Sequence, residues 1–187
     1  QASALGTTSL IEYITIATTG NSTNFGTLTG RYTYLAACSS PTRGVWAGGT
    51  GPLNVISYVT IATTGNAVSF GQLTAAREYP SGFSSSTRGV FGTGLNDFGL
   101  VNVIDYITIE TTGNAVSFGT LSAAVYSYGA CSTQVTGLFG GGAGGAGNTN
   151  AISSVTIAST GSTANFGQLT VARNSPAACS SAHGGLA

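Results

Sequence analysis

A chain of 187 residues is long enough for one domain with a real core, and its 5% of charged residues, five basic against five acidic, leave no net charge. Every basic residue is Arg, and the basic surface that nucleic acid or an anionic membrane requires is missing. Although 42% of the residues are hydrophobic, no apolar run approaches the roughly 20 residues of a spanning helix, so neither nucleic-acid binding nor membrane insertion is expected.

Met is absent, so the chain is expected to be processed or to be a segment of something longer, with no signal peptide left to read. Three Cys without a CxxC pair argue against a disulfide framework or a zinc site.

After a ten-residue opening, "QASALGTTSL", one phrase is repeated four times: "YITIATTGNSTNFGTLT" (13–29), "YVTIATTGNAVSFGQLT" (58–74), "YITIETTGNAVSFGTLS" (106–122) and "SVTIASTGSTANFGQLT" (154–170). Units begin at Ile11, Ile56, Ile104 and Ile152, and each holds four pieces. An extended run comes first, then a turn around "TGN", then a run ending in Phe-Gly-x-Leu at Phe25, Phe70, Phe118 and Phe166. A stretch like "AACSS" and a piece like "TRGVWAGG" complete the unit. In "ISYVTIA" both alternating sets, Ile56/Tyr58/Thr60 and Val59/Ile61, are β-branched or aromatic, which predicts strands buried on both faces. Four short strands per unit of about 45 to 48 residues predict an all-β chain, a single propeller domain over 1–187 with one four-stranded antiparallel blade per repeat. The fourth unit stops at Ala187, and with residues 1–10 it makes about one full repeat. The expectation is a four-bladed ring closed by its termini, with a segment of a larger propeller as the alternative.

These features resemble the kelch family of propellers. The kelch Arg falls on Arg31, Arg77 and Arg173, and the glycine pair on Gly48-Gly49 and Gly141-Gly142. The kelch Tyr falls on Tyr13, Tyr58 and Tyr106, and the aromatic-x-x-Leu strand on the Phe-Gly-x-Leu pieces. The resemblance covers essentially the whole chain, with departures: Phe replaces the usual Trp, the second copy reads Gly92-Thr93-Gly94, and Val125 stands in place of the third Arg. The wording "TIATTGNAVSFGQLT…SSSTRGVF" is similar to kelch-like repeats of bacteriophage tail-fibre and other virion proteins.

Propeller strand order puts two kinds of loop on opposite faces. "TTGN" and "SSTRG" barely vary, whereas the segments after Gly-Gly (50–54, 95–102 and the flexible 143–150) and after Leu-Thr (30–35, 76–82, 124–129 and 172–177) differ from copy to copy. The variable face gathers Tyr32, Tyr34, Tyr79, Tyr126 and Tyr128 with Arg31, Arg77 and Arg173, the residue types from which interfaces and sugar-stacking sites are built. Either these side chains bind a partner, or they plug the channel mouth and tie one blade to the next. Asp97, in the longest variable loop, is a further candidate contact, and would ligate calcium only with help from carbonyls.

Catalytic chemistry is not expected. His183, the only histidine, is read as a turn residue, and Glu12 and Asp105 share one repeat position that puts them in different blades. Cys38, Cys131 and Cys179 share a position that Phe83 fills in the second copy, which reads as packing rather than metal binding. No cofactor and no metal are implied; "GGGAGGAG" lacks the Lys and helix start of a phosphate loop, and Asn21 in a sequon is explained by its turn. The expected function is a non-enzymatic structural or adhesion module on a virion or other extracellular assembly. Its partners would be other structural proteins, further copies of itself or surface glycans. The alternative is a free glycan-binding propeller.

Overall fold

Each copy of the repeated phrase folds as an antiparallel hairpin, because β-branched and aromatic residues favour extended backbone and Thr-Gly-Asn/Ser turns it around. The computed structural model describes residues 8–180. The expected contribution of residues 1–7 to the last blade, and the reading of His183, lie outside the described residues.

In chain order, β1 (Leu10–Tyr13) and β2 (Thr23–Thr27) form a two-stranded sheet. A four-stranded sheet follows from β3 (Ala36–Ser39), β4 (Arg43–Ala47), β5 (Leu53–Thr60) and β6 (Val68–Arg77), paired in that order. The next is built from β7 (Ser81–Ser84) and β8 (Arg88–Gly92) and, after a separate two-stranded hairpin of β9 (Leu95–Asn96) and β10 (Gly99–Leu100), from β11 (Val103–Thr108) and β12 (Val116–Thr120). Its order is β7-β8-β11-β12. After β13 (Val125–Tyr126) come β14 (Gly129–Ser132) and β15 (Thr136–Gly140), a hairpin of β16 (Ala143–Gly144) and β17 (Gly147–Asn148), then β18 (Ala151–Thr156) and β19 (Ala164–Gln168). The third four-stranded sheet runs β14-β15-β18-β19. All pairings are antiparallel, and among the described residues no helix occurs.

The chain is therefore all-β, but the repeat and the sheet are out of phase. Each four-stranded sheet joins the last two pieces of one unit to the first two of the next, as β3–β4 joins β5–β6. Strands pair across unit boundaries because the short connection after the glycine pair brings β5 back beside β4, from Arg43↔Thr60 to Ala47↔Ile56. The four repeats also share a bulge, at Ile11/Glu12, Ile56/Ser57, Ile104/Asp105 and Ile152/Ser153.

The core lies between consecutive sheets. Phe70 and Leu73 from the first four-stranded sheet pack with Phe91, Ile107 and Ile109 of the second, and Phe118 and Leu121 of the second pack with Phe139, Val155 and Ile157 of the third. The expected two-sided burial of 56–61 holds for Ile56 and Val59 but not for its end, where Thr60 and Ile61 are exposed. The sheets are also stitched by main chain. Gly65, Gly113 and Gly161 donate N–H bonds of 2.8, 2.9 and 2.8 Å to the carbonyls of Phe25, Phe70 and Phe118 on the preceding sheet. The Gly after Phe is what permits this approach: a Cβ on Gly71 would lie 2.1 Å from the Gly113 carbonyl oxygen.

Two segments expected to be open loops are ordered hairpins. The base of β9–β10 is held beside Glu78 by its bridge to Leu95, and β16, in the stretch read as flexible, pairs with both β13 and β17.

Candidate functional site: a tyrosine-rimmed mouth

Beyond each Phe-Gly-x-Leu strand the chain makes one abrupt turn. Tyr34, Tyr79, Ser127 and Ser175 stand at the same step after Phe25, Phe70, Phe118 and Phe166, and all four are left-handed, with φ of 57, 55, 56 and 47°. Non-glycine residues hold that conformation only where the surroundings impose it, and such positions concentrate at binding sites. These four, with Leu35, Pro80, Tyr128 and Pro176, line a cavity of about 310 Å³, so every repeat contributes two residues to one mouth.

The aromatic half of this rim is preassembled. The Tyr34 and Tyr79 rings stack at 4.0 Å between centroids, and Tyr126 meets Tyr79 edge-on at 5.7 Å. Tyr34 beside it, then burial, pushes the Tyr79 phenol up to about 12. The opposite half carries the small hydroxyls of Ser127 and Ser175, and no charged side chain lines the cavity. Tyr128 is nearly buried and packs its ring on Phe139, so it anchors the mouth from below.

A second cavity of about 290 Å³ is lined by three residues from each of four equivalent segments, 37–39, 82–84, 130–132 and 178–180. Adjacent segments are linked by serines: Ser84 Oγ donates to the Ser39 carbonyl at 2.7 Å, and Ser132 Oγ to the Ser84 carbonyl at 2.7 Å. Cys38, Phe83, Cys131 and Cys179 also line it, and burial pushes the Cys38 and Cys131 thiols upward, away from the reactive thiolate. Among the described residues no group of three His, Cys, Asp or Glu is placed to hold a metal.

The structure divides the residues singled out from the sequence. Tyr34, Tyr79 and Tyr128 line the mouth and Tyr126 adjoins it, while Tyr32 folds back against Gly30 and Gly49. The three Arg do not share a position: Arg77 and Arg173 correspond, but Tyr32 occupies that step in the first repeat and Arg31 lies one residue earlier, exposed. Arg77 is 0% exposed. Its guanidinium pairs with Asp105 and donates to the Val103 and Ala75 carbonyls at 2.9 and 3.1 Å, so it ties two sheets together and offers nothing to a ligand. Arg173 is exposed and makes the same bond to the carbonyl two residues back, Val171, at 3.2 Å. Asp97 sits at the exposed tip of β9–β10 beside Phe98 and does not line the mouth. The sequence reading passed over Ser127, Ser175, Pro80 and Pro176; counting nine residues from Phe118 and Phe166 locates the serines, and ten from Phe70 and Phe166 the prolines.

A scan against protein-family models finds no matching family, and a search of curated proteins finds no matching protein.

Proposed function

We propose that the sheets are blades of a kelch-like propeller, serving as a non-enzymatic structural or adhesion module of a virion or other extracellular assembly. In this reading the invariant phrases build the disk and the variable segments on one face meet the partner. The observation that carries it is the ring of four equivalent left-handed residues, Tyr34, Tyr79, Ser127 and Ser175, at one mouth. The scaffold repeats at these positions while the side chains do not, which frees them from a purely architectural role. The low charge of the chain suits a particle surface that must not attract polyions.

The neutral, hydroxyl-bearing cavity favours a second reading, a lectin-like propeller. Tyr faces stack on the C–H surfaces of a sugar ring while Ser and Tyr hydroxyls exchange hydrogen bonds with it. One experiment separates the readings: binding of the wild type and of a Tyr34→Ala/Tyr79→Ala/Tyr126→Ala variant to a glycan array. Glycan binding that free sugar competes away and the triple variant loses establishes the lectin. No binding to any glycan leaves the structural module, and turnover of an arrayed glycan would overturn both.

A further inference from the structure

Among the described residues, three of the four Phe-Gly-x-Leu strands carry a neighbour and the fourth does not. Phe70 and Phe118 are 4% and 3% exposed under the hairpin of the following sheet, whereas Phe166 is 59% exposed. A Cβ on Gly26, Gly71 or Gly119 would strike the next repeat's turn, but one on Gly167 meets nothing within 4 Å. The β1–β2 hairpin shows the converse. Ile107 and Val155 are buried against the preceding sheet, while Ile14 at the same repeat position is 62% exposed and Ile16 beyond it 94%.

The ion pair gives the register in which these two faces fit. Taking the Arg77 step in order gives Tyr32, Arg77, Val125 and Arg173, and taking the Asp105 step of each following sheet gives Ser57, Asp105, Ser153 and Glu12. Arg77 faces Asp105, the two neutral residues at the first step precede the two serines at the second, and the remaining Arg falls to the remaining acid. Arg173 is already held as Arg77 is: its carbonyl accepts from Gly142 at 2.8 Å as that of Arg77 does from Gly49 at 3.1 Å, and both Nε atoms donate two residues back. Glu12 follows the same bulge as Asp105.

We infer that the open face at Phe166 is covered by this chain's own β1–β2 hairpin, with Ile14 and Ile16 on Phe166, the Gly20 N–H on the Phe166 carbonyl and Glu12 on Arg173. The inference rests on the propeller reading and deepens it, choosing a self-closed ring of four over an open array. The occupant is the same molecule because residues 178–180 already line one cavity with 37–39, 82–84 and 130–132, so the chain has come round its axis and the hairpin is the nearest match in space.

The test compares Glu12→Gln, Arg173→Gln and the swapped Glu12→Arg/Arg173→Glu pair by thermal melting, with light scattering over a range of concentration. Each single change lowers the melting temperature by about 3 °C or more, the swap recovers most of the loss, and every form remains one chain. Singles that melt like wild type, while Arg77→Gln falls, overturn the closure and leave the sheet stack intact. An Arg77→Gln variant that also melts like wild type overturns the stack itself. A swap that recovers only in concentration-dependent assemblies overturns the self-closure in favour of contact between copies. A disulfide between Ile14→Cys and Phe166→Cys, the two side chains that the inference seats on each other, reads closure independently in a Cys38→Ala/Cys131→Ala/Cys179→Ala background. Intrachain crosslinking is expected; interchain crosslinking alone overturns the inference.

Discussion

Gly71 runs so close beneath Gly113 that a methyl group on its Cα would lie 2.1 Å from the Gly113 carbonyl oxygen, on a turn that the Gly113 N–H ties to the Phe70 carbonyl at 2.9 Å. Replacing Gly71 by Ala is expected to cost about 3 kcal/mol through forced separation of two sheets. Gly65→Ala, where a Cβ meets nothing within 4 Å, is expected to change stability by less than about 1 kcal/mol. Urea unfolding of the two variants checks the contrast; equal losses would mean that the close approach is not what holds these glycines.

Arg77→Val leaves Asp105 buried with only the Thr74 amide and hydroxyl to answer its charge, and is expected to cost about 3 to 5 kcal/mol. The Arg77→Val/Asp105→Ser double variant copies the Val125 and Ser153 residues that stand at these steps one sheet later, and is expected to recover more than half of that loss. A double-mutant cycle measures the recovery.

Thr93 takes the left-handed step that Gly48 and Gly141 take elsewhere, with φ 67° against their 76°, and its buried hydroxyl has no hydrogen-bond partner. Both features cost stability. Thr93→Gly is therefore expected to stabilise the protein by about 1 kcal/mol, read as an upward shift of the urea midpoint without a change in slope. A downward shift would mean that the Thr93 methyl packs for more than its backbone strain costs.

The rim responds to alkali. Tyr79 holds its proton more tightly in the folded chain, so its contribution is intact below the ordinary phenol range near pH 10 and is lost as pH rises through about 12. Burial raises Tyr128 as well. Ultraviolet titration of the eight tyrosines is expected to show late-ionising phenols, and Tyr79→Phe is expected to remove one of them. If the late phase keeps its full amplitude in Tyr79→Phe, the stacked pair is open in solution.

The sequence alone was enough to establish an all-β chain of four equivalent units with a constant and a variable set of loops, because period-two alternation, turn residues and repetition are local properties of the text. It also exposed the Phe-Gly-x-Leu strands, though not the reason for their glycine. Only the fold placed the carbonyl of Gly113 against Gly71, paired strands across unit boundaries, and buried Arg77 while leaving Arg173 and Arg31 exposed. Those outcomes depend on which sheet lies next to which, a relation between residues far apart in the chain. The left-handed backbone at Tyr34, Tyr79, Ser127 and Ser175 belongs to the same class: neither Tyr nor Ser signals positive φ, and the surroundings that hold it are assembled from all four repeats.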